Sequence, residues 1–231
     1  MREKPRKIAG KDGWESMDRG NISKLTLQRL PTYLSYLKSL PAQGNDAVSA
    51  AAIAGALGLG EVQVRKDLAA VSSAGRPKVG YLVSELTRDL EHFLGYGTRN
   101  RAVLVGLGNL GLALMSYSGF AEYGLDIVAA FDTKSALIGS TVDGKPILPV
   151  SELPRVCREK QVQIGILTVP AAAAQSCLDA LVDGGVRAVW NFAPTHLNAP
   201  KGVLVQRENM ASSLALLSYH LKQGQTQDDQ D

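Results

Sequence analysis

Cysteine is scarce in this chain. Its 231 residues include only Cys157 and Cys177, which lack the spacing of a zinc or redox pair. The expectation is two buried thiols in a reducing compartment, and so a cytoplasmic protein. Histidine gives no more: His92, His196 and His220 are scattered, so no metal centre is expected. No run reaches the roughly 18 apolar residues of a membrane span. The start, MREKPRKIAGKDG, is charged and has no apolar segment of a secretory signal. No membrane association is expected. What remains, at 45% hydrophobic and 20% charged residues, is ordinary for a globular protein of one or two domains.

Charge is unevenly spread. Met1 to Tyr81 holds 13 Lys/Arg against 7 Asp/Glu, and the rest holds 12 against 15. A basic front half points to a polyanion partner for that half alone. Residues 1–20, poor in large apolar residues, read as a flexible basic arm. Leu27, Leu30, Leu34 and Leu37 recur at helical spacing, PAQGND reads as a loop, and Ser49 caps a small-residue helix. A tight GLGE connection leads to a second short helix, EVQVRKDLAAVS, with Val62, Val64, Leu68 and Val71 apolar. Then SSAGRPKVGYLV reads as a small β-wing, and Ser84 as the cap of a further helix. This is the layout of a winged helix-turn-helix over residues 21–97.

The second half alternates strand and helix. RAVLVG, LDIVAAFD, VQIGILTV and VRAVWNF are nearly continuous apolar strands, with GVLVQ a further candidate, which predicts an α/β doubly wound parallel sheet over 98–207. A last helix, 208–222, precedes a polar tail, 223–231. GLGNLG, Gly106 to Gly111, matches G-x-G-x-x-G. Alone that pattern is weak, but a strand runs into it, a helix begins inside it, and Asp132 ends the next strand 21 residues after Gly111. Gly106 allows the tight turn, Gly108 lets a pyrophosphate approach the backbone, and Gly111 packs the helix on the strand. Asp132 suits the adenosine ribose and repels a 2′-phosphate, which favours NAD(H); Lys134 weakens that preference. No Tyr-x-x-x-Lys pair, catalytic Cys or His–acid pairing accompanies the loop, and His196 reads as a loop histidine. A cofactor-reading module, not an enzyme, is expected.

VQVRKDL places Val62, Val64 and Leu68 inward and Arg65 and Lys66 outward. On the second helix of a helix-turn-helix, an arginine can be bidentate to guanine and a lysine more often meets phosphate. Arg76 and Lys78 on the wing suit the phosphate backbone or the minor groove.

RLPTYLSYL, VQVRKDLAAVSSAGRPKVGY, VLVGLGNLGLAL, AAFD, ILTVP, VWNFAP and LALLSYHL occur in an order and spacing that resemble the Rex family of redox-sensing repressors. The resemblance implies a homodimer on an inverted-repeat, double-stranded DNA operator, released by NADH, with NAD+ competing. It implies that the final helix swaps onto the partner subunit. It places Ser49, Gln63, Arg65, Lys66, Arg76, Lys78 and Tyr81 toward DNA. Gly106, Leu107, Gly108, Asn109, Leu110, Gly111, Asp132, Thr133 and Lys134 fall at the adenosine and pyrophosphate. Thr168, Val169 and Pro170 line the crevice edge, and Asn191, Phe192, Ala193 and Pro194 lie near the nicotinamide. Tyr117 helps to report the redox state, and Ser35, Asn209 and Met210 belong to the switch and the dimer contact.

The chain departs from the family in places. Ser35 and Asn209 stand where the family usually has an arginine and an aspartate that pair between domains. Losing both charges together leaves no lone buried charge, so a neutral hydrogen bond involving Tyr117, or no latch, is expected. RPK alters the wing, and Asn109 replaces a frequent basic residue, so backbone N–H groups are expected to hold the pyrophosphate. Two rivals stand beside the sensor. One is a small NAD-dependent oxidoreductase with an accessory nucleic-acid-binding domain. The other is a regulator whose nucleotide is CoA.

Overall fold

The computed structural model describes residues 22–41 and 46–228, with side chains described to Lys222. The expected basic arm of residues 1–20 and most of the PAQGND loop lie outside the described residues. The chain divides into two compact units, with a boundary between Arg99 and Asn100; Gly119–Leu125 groups with the first unit.

The first unit holds α1 (Lys24–Ser39), β1 (Ala47–Val48), α2 (Ala50–Leu57), α3 (Glu61–Val71), β2 (Tyr81–Leu82) and α4 (Val83–Leu94). Ser23 caps α1 by accepting from the Thr26 N–H, and Ser49 caps α2 by accepting from the Ala52 N–H. Gly58 closes α2 in the left-handed region, which an L side chain adopts at a cost. Leu30, Tyr33, Leu34, Leu37, Ile53, Val64, Leu68, Leu86 and Leu90 fill the core between the helices.

Three expectations need correction here. Val62 does not point inward: it is 64% exposed, because at 100° per residue it faces almost opposite Val64, and α3 buries the stripe Val64, Asp67, Leu68. Ser84 does not cap α4. The Val83 N–H already donates to the Asp46 carbonyl, and the helix starts directly from the strand with Leu82 at its cap. The wing is also smaller than expected. Arg76 and Gly80 bond to each other across a tight turn, and only Tyr81–Leu82 pairs, antiparallel, with Ala47–Val48.

The second unit contains β3 (Asn100–Val105), α5 (Asn109–Met115), β4 (Leu125–Asp132), β5 (Thr141–Val142), β6 (Lys145–Pro149), α6 (Leu153–Glu159), β7 (Ile164–Leu167), α7 (Ala171–Asp183), β8 (Ala188–Asn191), β9 (Leu204–Arg207) and α8 (Met210–Asp228). The sheet order is β5-β6-β4-β3-β7-β8-β9. The β4–β6, β3–β7, β7–β8 and β8–β9 pairs are parallel, and the short β5–β6 hairpin is antiparallel. Leaving out β5, the strands lie third, second, first, fourth, fifth, sixth, the order of a dinucleotide-binding fold. Val103, Val105, Ala129, Phe131, Leu167, Leu178 and Leu181 lie in the core around the sheet. Cys157 and Cys177 are buried free thiols there, and burial pushes both up, Cys157 to about 11. The last helix continues to Asp228, past the end expected at residue 222.

Candidate nucleotide crevice and nucleic-acid interface

β3 and β7 are neighbours at the point where the strand order reverses, and the glycine loop leaves β3 there. Such a reversal opens a crevice beyond the carboxyl ends of the strands. Gly106 has φ +100, and a Cβ on it would meet Val169 Cγ1 at 2.8 Å and the Thr168 carbonyl at 3.0 Å. A Cβ on Gly111 would come within 2.0 Å of the Gly106 oxygen. Both glycines are therefore required by the fold. Gly108 is different: its backbone is extended, and a Cβ would meet nothing within 4 Å. The space above it is the approach that a phosphate needs, beside the first N–H groups of α5, which lack intrahelical acceptors.

Asp132 ends β4 beside this loop. Its carboxylate accepts from the Leu107 N–H at 2.6 Å and the Lys134 N–H at 2.8 Å. Burial pushes the carboxyl up, but the N–H groups of Lys134, Leu107 and Thr133 outweigh it and hold Asp132 below the usual carboxylate range. It is charged at neutral pH and keeps lone pairs for a further donor. The Leu107 side chain is buried in the core, while Asn109, Leu110, Thr133 and Lys134 are exposed around the loop.

Thr168 follows β7, and its hydroxyl donates to the Gly106 carbonyl at 2.6 Å, tying the crevice edge to the loop. Val169 is half-buried and Pro170 exposed. Asn191 ends β8 fully buried. Its amide oxygen accepts from the Ala193 N–H at 2.9 Å and its amide nitrogen donates to the Thr195 carbonyl at 3.1 Å. It shapes the turn that presents Phe192 and Pro194. Phe192 is half-buried against Trp190, ring centroids 4.9 Å apart, and Ala193 is buried. His196 and Tyr117 are exposed.

In the first unit a hollow of about 480 Å³ is lined by Ser49, Glu61, Arg65, Arg76, Lys78 and Tyr81, among others. Five of the seven residues expected at DNA therefore share one groove between α2, α3 and the wing. Lys66 is exposed on α3 outside that lining, and Gln63 lies beside Arg29, whose guanidinium its amide oxygen can accept from. Arg65 pairs with Glu61 one turn before it. Lys78 holds φ 65 at the wing tip, and a Cβ on Gly80 would meet the Val48 oxygen at 2.4 Å.

Sequence reasoning missed Asp67. It is buried beneath α3 and takes Arg29 Nε at 2.8 Å, Arg29 Nη2 at 3.0 Å, the Tyr33 hydroxyl at 2.8 Å and the Thr26 hydroxyl at 3.1 Å. A carboxylate on the apolar stripe, three residues after Val64, was the available signal. Ser35 is exposed on α1, and the Asn209 amide oxygen accepts from the Ser212 N–H at 3.3 Å at the start of α8.

Two family models match: "Putative DNA-binding protein N-terminus" over residues 21–69 and "CoA binding domain" over 98–195. The chain is 42% identical over 201 residues to a redox-sensing transcriptional repressor Rex of Porphyromonas gingivalis, covering 87% of the chain and 92% of that protein. The chain belongs to the Rex family. A Rex of Treponema denticola is 40% identical over 192 residues, covering 83% of the chain and 91% of its own length. Among solved structures, RSP, a Rex-family repressor, in complex with NAD+ and operator DNA superposes with TM-score 0.84 at 29% identity, over 91% of the chain and 97% of RSP. RSP in complex with NADH gives 0.82 at 28%, over 92% and 100%. These Rex relatives are repressors, not enzymes, and the oxidoreductase reading falls away with that membership.

Proposed function

We propose that the chain binds operator DNA as a homodimer and leaves it when NADH fills the crevice of the second unit, with NAD+ competing for the same place. The observation that carries this reading is Gly108, a glycine that the fold does not need and whose missing Cβ leaves room for a pyrophosphate. The cofactor is held and not consumed. When bound, it supplies a nicotinamide whose charge and shape differ between its two redox forms. Gly106, Gly108, Gly111 and the N–H groups of Asn109 and Leu110 hold the phosphates. Asp132 accepts from the adenosine ribose. Discrimination cannot come from that half, which is identical in both forms. Phe192 and Ala193 provide an apolar wall that favours the neutral reduced ring over the cationic oxidised one.

Ser49, Arg65, Lys66, Arg76 and Lys78 meet the duplex. Dimerisation uses α8, where Met210, Leu214, Leu217 and Leu221 form one apolar stripe, each at least 62% exposed. A second copy covers such a stripe. The protein works in the cytoplasm, without a metal. Among the described residues no helix is long and apolar enough to cross a membrane, and no group of three or more metal-capable side chains occurs.

NAD(H) is favoured over CoA because CoA carries a phosphate on its adenosine ribose, which the charged Asp132 repels. Asp132→Ala is expected to weaken NADH about 10- to 100-fold, the worth of a hydrogen bond to a charged group, and to leave CoA unchanged or stronger. Calorimetric titration checks this, and an equal loss of both ligands would sink the assignment.

A further inference from the structure

The outward face of α3 carries an apolar residue that neither the core nor the charge pattern uses. Val62 is 64% exposed at the second position of the helix. By helical geometry it lies in line with exposed Ala69, with Arg65 on one side and Lys66 on the other. The face is therefore a shallow apolar strip flanked by Lys66 on one side and by Arg65, with its ion-pair partner Glu61, on the other. Short side chains along the strip let the helix backbone approach a surface closely, and long cations at its edges reach outward. A second copy of the same face would bring cations against cations. The complementary surface is a polyanion with an apolar point at its centre.

We propose that Val62 reads a thymine, through van der Waals contact with its 5-methyl group in the major groove. That methyl is the one apolar group a base pair presents there, and the first turn of a recognition helix is the part that reaches base edges. The β-branched side chain suits the task, because its χ1 is nearly fixed in a helix and little freedom is lost on contact. Arg65 and Lys66 then flank the contact on either side, and Val62 supplies selectivity for thymine, whose methyl group a cation does not read. The inference rests on the DNA-binding reading above.

The test uses the full-length protein and the tightest duplex that it selects from a random-sequence pool. Each thymine of that duplex is replaced in turn by deoxyuridine, which removes only the methyl. At one thymine per half-site, replacement is expected to weaken the wild-type protein roughly fourfold, the factor for burying one methyl-sized group. Val62→Ala is expected to bind the parent duplex more weakly and to be indifferent to that replacement. If the duplex is bound and no thymine is sensitive, or if Val62→Ala keeps the sensitivity, the assignment to Val62 is wrong and the DNA-binding reading stands. If no duplex is selected at all, both are overturned.

Discussion

Gly108 and Gly111 lie three residues apart and answer to different demands. Alanine at 111 would drive a Cβ into the Gly106 oxygen, while alanine at 108 meets open space on an ordinary extended backbone. Gly108→Ala is therefore expected to change stability by less than about 1 kcal/mol and to weaken NADH and NAD+ at least tenfold by blocking the phosphate. Gly111→Ala is expected to unfold the second unit by several kcal/mol. Denaturation midpoints and NADH titrations on both variants separate fold from ligand. Asp67 is the residue-scale counterpart in the first unit. Burial pushes its carboxyl up, but Arg29, Tyr33 and Thr26 outweigh that and hold it below the usual range; burial, with Asp67, pushes Tyr33 up to about 12. A lowered carboxyl stabilises above its unfolded value and loses that as pH falls through the native one. A raised tyrosine stabilises below its unfolded value and loses that as pH rises through about 12. The network is thus fully present between about pH 4 and pH 10. Asp67→Asn is expected to cost the first unit about 3 kcal/mol within that window and less at either end, read by thermal melts across pH.

At the scale of elements, the sheet was legible because buried parallel strands are continuous apolar runs, and Gly106, Gly111 and Asp132 fall where that pattern sets them. The facing of α3 was not. Its stripe includes Asp67, a residue that looks like surface by type, and its partners Arg29 and Tyr33 lie on another helix, 38 and 34 residues away. No local spacing reports such a pairing, so residue type alone points Val62 to the core in its place. Ser84 resembled a cap because the Val83 bond to Asp46 is also non-local. In the site, Asn191 was recognisable as important, but its work of building the Ala193–Thr195 turn needs the fold to be seen. The wing offers its own test. Lys78 is a non-glycine residue at positive φ, a conformation that costs about 1 kcal/mol. Lys78→Gly is expected to stabilise the first unit slightly while weakening DNA binding and lowering its salt slope by about one charge per protomer. Melts and binding at two salt concentrations would show the two effects moving in opposite directions; weaker folding together with unchanged binding would exclude a DNA role for this cation.

Across the whole molecule, the chain joins a cationic groove to a nucleotide crevice, and each is legible by itself in the sequence. Their coupling is not, because it is a difference between two states of an assembly. If NADH and DNA favour different states, each must weaken the other by the same free energy, typically 1–3 kcal/mol. The direct measurement is the affinity of the full-length protein for its selected duplex at fixed salt, by fluorescence anisotropy, with no cofactor, with NADH, with NAD+ and with both. NADH is expected to weaken DNA binding by about 5- to 150-fold, NAD+ far less, and added NAD+ to restore binding by competition. Equal release by both cofactors, or release by neither, would contradict redox sensing by this chain.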